Sequence, residues 1–214
     1  MNLIIWTLLY SGLAIVMLKI AKLTLHEEIY ISAKEFVWVV ITFGVFGLVL
    51  GYFSNFSIVL SMIFAWLLVI GYIDLKIHSI YHWTLIIACI LHLGGNLLYQ
   101  NQIVNGLLGG LIGLIIYGVI YGGAYLYYKR EAFGFGDVLL MGSLGLFFGL
   151  QKTVMIAMLS FYIALIGIVI IALVGKKMKR SIEIAFAPYM ILSAMAVALF
   201  EHQIIELYRS IFMI

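Results

Sequence analysis

Apolar runs follow one another along this chain with hardly a break, near 2–22, 36–53, 57–73, 83–100, 104–128, 138–150, 153–175 and 184–200. A stretch of about 20 mostly apolar residues is the length of helix that crosses the hydrocarbon layer of a bilayer. Hydrophobic residues make up 66% of the 214 and charged residues only 10%. A soluble domain is about half apolar and about a quarter charged, and a core of this size cannot hide so much apolar surface. Lipid is therefore the solvent for most of the chain, and the bilayer is its first partner. The pattern predicts an all-α fold, a polytopic integral-membrane helical bundle of about six to eight transmembrane helices. With no internal repeat and no linker, residues 1–214 read as a single integral-membrane domain.

The sixth run is short, and its turn into the seventh is placed at GLQKT, residues 149–153. Glycines are frequent inside the runs, most densely in GGLIGLIIYG at 109–118. Small residues let helices approach closely in lipid, and packing is preferred here to any phosphate-loop reading. The opening MNLIIWTLLYSGLAIVML lacks the basic flank and small-residue cleavage site of a secretory signal, so it reads as a retained span. Cys89 is the single cysteine, which excludes a disulfide within the chain and a multi-cysteine zinc site. The net charge of +3 forms no nucleic-acid patch.

Lysine and arginine in short loops set orientation. Lys19, Lys22, Lys34, Lys76, Lys129, Arg130, Lys176, Lys177, Lys179 and Arg180 fall on one side of an eight-span arrangement, and only Lys152 and Arg209 do not. The positive-inside rule makes that side cytoplasmic and puts the N-terminus outside. The KKMKR cluster at 176–180 doubles as an anchor for anionic lipid.

Of nine acidic residues seven are glutamates, most at loop or terminal positions, and two are aspartates, Asp74 and Asp137. Asp74 stands at the end of the third run, in AWLLVIGYIDLKIHSIYHW, and Asp137 at the start of the sixth, in KREAFGFGDVLLMG. The topology brings both to the cytoplasmic mouth. Two carboxyls a few ångströms apart share one proton. The ionised one takes a proton from water, and the protonated one gives its own to a carbonyl oxygen. Such a pair hydrolyses a peptide bond without metal or covalent intermediate and titrates as a unit. Gly134 and Gly136 supply backbone freedom and let a substrate strand approach the loop. The plainer alternative makes Asp137 a helix cap and Asp74 an interfacial partner of Lys76.

The stretch GFGD at 134–137 matches the GxGD motif of intramembrane aspartyl proteases, and KREAFGFGDVLLMGSLGLFFG at 129–149 resembles the corresponding region of type IV prepilin peptidases. IDLKIHSIYHWT at 73–84 resembles their first-aspartate segment, NGLLGGLIG at 105–113 their glycine-rich span, and FAPYM at 186–190 their late proline-containing segment, with Pro188 the only proline. The resemblance implies a membrane peptidase that removes the short basic leader of prepilin-like or preflagellin-like substrate proteins, in the cell membrane with its site facing the cytoplasm. It implies that Asp74 and Asp137 are catalytic and that Gly134 and Gly136 are the motif glycines. Glu131, Pro188 and Tyr189 are candidates for substrate binding, with Glu131 or Glu183 suited to a basic leader. No cofactor and no metal are implied. Many bacterial relatives carry a large loop with two Cys-x-x-Cys pairs after the first span and also N-methylate the product. Here LTLHEEIYISAKE is short and has no cysteine, so methyltransferase activity is not expected. The sequence also departs in having HSIYH after Asp74 where relatives often have a proline.

His78 and His82, four apart beside Asp74, offer two ligands of a mixed metal site, but interfacial histidines are the simpler reading. Trp38, Trp66, Trp83, Tyr72 and Tyr81 read as interface-belt aromatics. Two rival functions carry different signatures. A protease of the presenilin or signal-peptide-peptidase type shares GxGD but usually has Tyr-Asp and Pro-Ala-Leu where this chain has Ile73-Asp74 and Ala187-Pro188-Tyr189. A small proton-coupled transporter calls for carboxylates near the bilayer midplane and often a repeated half, and the sequence has neither.

Overall fold

The structure, a computed structural model, describes residues 33–52, 58–131, 133–173 and 185–212, with positions 8, 10–12 and 15 of the N-terminal segment. The rest of the first run, Glu183 and the KKMKR cluster lie outside the described residues, as do the side chains of Trp38 and Arg209. The described residues form helices and no strands, as the sequence predicts, in the order α1 (Ala33–Tyr52), α2 (Ile58–Ile77), α3 (His82–Gly95), α4 (Ile103–Tyr128), α5 (Phe135–Leu173) and α6 (Ala187–Phe212). A π turn, Asn96–Gln100, extends α3. Val59–Ile77, Ile103–Tyr128 and Phe135–Ile170 are long and apolar enough to cross a bilayer. Val39–Val49, His82–Leu98 and Ala187–Glu201 are shorter apolar helices.

The core lies where α2, α3, the start of α5 and α6 meet, around Phe64, Leu67, Leu140, Leu144, Phe147 and Met190. The outer faces stay apolar. Val119, Leu126, Leu165 and Leu173 point away from the protein, as they must in a helix whose surroundings are hydrocarbon. The basic exception Lys152 is paired with Glu201 at 2.8 Å, which accounts for its standing outside the charge pattern.

Helix α5 is two limbs rather than one. Gly149 has φ 75° and ψ 177° inside it. Helix α4 runs antiparallel to the first limb (135–148), with Gly113 on the Met141 backbone, Gly109 on Gly145 and Gly106 on Leu146. Tyr117 therefore sits level with the start of that limb, yet its hydroxyl hydrogen-bonds Ser160, beyond the break. A straight helix would carry Ser160 about 16 Å further from Gly149 in the opposite direction. The chain thus reverses at Gly149, at the first residue of the predicted GLQKT turn, and returns as a second limb (150–173).

The reversal is held by amides from the neighbouring connection. Asn96 Nδ2 donates to the Leu146 and Phe147 carbonyls at 3.0 and 3.3 Å, closing the end of the first limb. Asn105 Oδ1 accepts the Leu150 N–H at 3.1 Å, opening the return limb, and Thr153 Oγ1 donates to the Gly149 carbonyl at 2.6 Å. Helix ends leave backbone groups without helical partners, and these side chains supply them. Close approach is where the glycines act. A Cβ on Gly109 would stand 2.5 Å from both the Gly145 oxygen and the Gly149 carbonyl carbon.

One aromatic expectation is overturned. Trp66 is 4% exposed. Its indole N–H donates to the Thr84 carbonyl at 3.0 Å and its ring meets Trp83 edge-on at 6.0 Å. It belongs to the α2–α3 contact and not to an interface belt, because a satisfied indole N–H can be buried without penalty.

Candidate active site

Asp74 lies in the last turn of α2, a few residues further inside the helix than the apolar run suggests. Its carbonyl accepts the His78 N–H at 2.8 Å, and His78 takes φ 50°, ending the helix in the left-handed conformation usual at such stops. His78 also stays within electrostatic reach of Asp74. The connection to α3 then inserts Ile80 into the core. Tyr81 adopts φ −72° and ψ 136°, and its carbonyl accepts the Thr84 hydroxyl at 2.7 Å. That backbone is the extended one proline favours, so HSIYH reaches a proline-like geometry without the proline.

Asp137 lies in the first turn of α5, its N–H bonded to the Gly134 carbonyl at 3.1 Å. The two motif glycines serve space and not left-handed backbone, since Gly149 is the only described glycine with positive φ. A Cβ on Gly134 would sit 2.9 Å from Asp137 Oδ2, and one on Gly136 would sit 3.0 Å from Ile80 Cβ. The second contact ties the loop after Asp74 to the loop before Asp137.

The fold brings the two aspartates together from helices far apart in sequence. Asp74 is 5% exposed and Asp137 7%, and Asp137 lies within electrostatic reach of Asp74. Their surroundings differ. Asp74 Oδ2 accepts the Ala187 N–H at 3.0 Å, at the start of α6. Asp137 Oδ1 is buried with no hydrogen-bond partner among the described residues. A buried carboxylate is costly unless it is hydrogen-bonded or neutralised by a proton. One member of the pair is thus anchored to a backbone dipole and the other keeps an oxygen open.

The remaining candidates are dispersed. Glu131 is exposed and accepts a hydrogen bond from the Tyr121 hydroxyl at 2.9 Å. Pro188 packs against the Gly71 backbone, 3.8 Å from where a Cβ would stand, and the Tyr189 ring covers Gly167 at 2.7 Å from such a position. Both are placed as helix-packing groups. His82 begins α3 and lines an apolar groove of about 640 Å³ between α3, α4 and α5 with Leu85, Cys89, Leu111, Leu139 and Leu146. Leu139 and Leu146 lie on a face of α5 turned away from Asp137. Among the described residues no three His, Cys, Asp or Glu side chains converge.

Sequence reading missed the Ala187 amide. FAPYM drew attention for its proline and tyrosine, but the group that meets Asp74 is the N–H just before the proline. Pro188 has none of its own, so Ala187 offers an uncommitted donor at the helix start.

A bundle of apolar helices, three of them long enough to cross a bilayer, enclosing a buried carboxyl pair defines a helical membrane protein. The profile of the type IV leader peptidase family matches residues 61–175, a stretch that contains both aspartates and the Gly149 reversal. The chain belongs to that family and is a membrane peptidase. No curated protein and no solved structure matches it at a significant level.

Proposed function

We propose that the protein is an aspartic endopeptidase that removes the short basic leader from type IV prepilin-like or preflagellin-like substrates at the cytoplasmic face of the cell membrane. The observation that carries this reading is the meeting of the only two aspartates in the chain, both buried, inside the region the family profile covers.

The chemistry follows from one proton shared by two carboxyls. The ionised carboxyl takes a proton from a water molecule as its oxygen bonds to the scissile carbonyl carbon. The protonated carboxyl gives its proton to the carbonyl oxygen, forming a neutral tetrahedral diol. The carboxyl that took the water proton then gives it to the leaving nitrogen while the other takes a proton from a diol hydroxyl; the C–N bond breaks, the product carboxyl forms, and the starting state returns. The Ala187 N–H stabilises negative charge on Asp74 and so favours it as the ionised partner, while the open oxygen of Asp137 faces the reaction. Glu131, at the exposed mouth beside Tyr121, suits the basic leader.

Co-expression with a prepilin-like substrate tests this, read as a gel shift the size of a leader. Wild type cuts, and Asp74→Asn and Asp137→Asn each abolish cutting while remaining in the membrane. Cleavage at the wild-type rate by either variant would remove the pair from the mechanism.

A further inference from the structure

Four aromatic rings meet between the two aspartate-bearing loops. The Phe186 ring lies 5.5 Å from Phe133 in a T-shaped contact, 5.2 Å from Phe161 and 6.1 Å from Tyr117. Tyr117 also touches Phe133 and Phe161, at 5.6 Å each. The rings come from four places: α4, the loop before the first limb, the return limb and the segment before α6. Tyr117 is completely buried, and its hydroxyl is fixed on Ser160 at 2.5 Å.

Two of these rings belong to residues directly adjoining the site. Phe133 immediately precedes Gly134, whose carbonyl receives the Asp137 N–H. Phe186 immediately precedes Ala187, whose N–H holds Asp74. The Phe133–Phe186 contact therefore joins the segment that carries Asp137 to the amide that fixes Asp74. From the other side the join is made by Ile80 against Gly136. No direct hydrogen bond links the carboxyls, so their spacing depends on what clamps the loops.

We propose that Phe186 is a positioning residue, the hub of an aromatic clamp with Tyr117, Phe133 and Phe161 that sets the spacing of Asp74 and Asp137. This deepens the aspartic-peptidase reading and rests on it. Edge-to-face pairs hold rings at defined angles as well as distances. Bond-making geometry is sensitive to shifts of about 1 Å, which can reduce rate about a hundredfold. A clamp that acts on geometry lowers kcat and leaves substrate binding alone.

The experiment measures kcat and KM for leader cleavage in purified Phe186→Ala, Phe186→Leu and Phe186→Tyr, beside Asp74→Asn and Asp137→Asn. Phe148→Leu is the control for lost aromatic packing, since Phe148 pairs with Phe64 at the far end of the first limb. Phe186→Ala and Phe186→Leu should lower kcat by about tenfold or more with KM within about twofold, and Phe186→Tyr should restore it. Phe148→Leu should lose thermal stability and keep kcat. The leucine variant retains most of the side-chain volume, so it carries the comparison if the alanine variant does not accumulate. Wild-type kcat in Phe186→Leu, a loss confined to KM, or an equal fall of kcat in Phe148→Leu would overturn the proposal. If both asparagine variants are inactive while Phe186→Leu keeps its kcat, only the clamp falls. If an asparagine variant cuts normally, the aspartic reading falls and the clamp with it.

Discussion

The Tyr117 hydroxyl donates to Ser160 Oγ at 2.5 Å, and Ser160 in turn donates to the Ala157 carbonyl at 2.7 Å. Since the serine proton is committed to Ala157, the tyrosine is the donor between them. This contact locks α4 to the return limb of α5 at the level of the aspartates. It also places the tyrosine ring within electrostatic reach of Asp137.

The directionality predicts an asymmetry. Tyr117→Phe removes a donor and leaves Ser160 with its bond to Ala157. Ser160→Ala leaves a fully buried tyrosine hydroxyl unpaired, which costs about 1–3 kcal/mol against about 1 kcal/mol for a hydrogen bond lost cleanly. Thermal unfolding in detergent should show Ser160→Ala as the less stable variant. The opposite order would mean that the donor is the serine.

Gly134→Ala should abolish most cleavage while leaving the protein folded, because the added methyl group meets Asp137 Oδ2 at 2.9 Å. Gly136→Ala presses on the Ile80 Cβ at 3.0 Å, a contact that only glycine at 80 removes. The double variant Gly136→Ala/Ile80→Gly should recover part of the activity lost by Gly136→Ala alone. Strictly additive losses in a double-mutant cycle would refute the contact.

Ala187→Pro keeps a residue suited to the first turn of a helix and deletes the N–H that reaches Asp74. Hydrogen bonds to charged groups contribute about 1.5–3 kcal/mol, so cleavage should slow by about ten- to a hundredfold. Steady-state kinetics on membrane-inserted variant will show it, and an unchanged kcat would mean that Asp74 does not act as the ionised partner.

A single proton shared by two carboxyls makes the rate bell-shaped in pH. At low pH both are protonated and no base remains. At high pH both are ionised and no acid remains. Cleavage should therefore fall on both sides of an optimum. A rate that climbs to a plateau and never declines at high pH, with the protein still folded, would rule out the shared proton.

Gly149→Ala forces a side chain into a backbone conformation that essentially only glycine adopts, φ 75° and ψ 177°, at about 1–3 kcal/mol, and displaces the Asn105 amide beside it. The variant should melt earlier, and Asn105→Ala should add little to it, because both act on one reversal. Cleavage per folded molecule should be retained, since the reversal lies at the end of the limb opposite Asp137.

Much of this arrangement was legible in the chain. Asp74 and Asp137 stand out because carboxylates are rare in apolar sequence, and glycine density announced where α4 would close on the first limb. The chain break was placed at GLQKT by run length, and Gly149 is where it occurs. The aromatic hub was not legible. Phenylalanine and tyrosine are common throughout membrane helices, and nothing in spacing separates Phe186 from a lipid-facing ring. Trp66 was misplaced for the same reason, since sequence alone does not show whether a tryptophan N–H meets headgroups or a carbonyl. The Ala187 amide has no side-chain signature at all.

The reversal at Gly149 leaves the first limb of α5 about 20 Å long, against about 30 Å of hydrocarbon and about 39 Å for α4 beside it. With its far end level with its neighbours, the near end stops short of the end of α4, and Asp137 lies below the rim raised by Tyr125, Tyr127 and Tyr128 on the longer helix. On the proposed aspartic mechanism, a peptide must dip to be cut. On that mechanism the depth of the well would work as a ruler, fixing how far from the greasy part of a substrate the bond is broken, whatever side chains flank it.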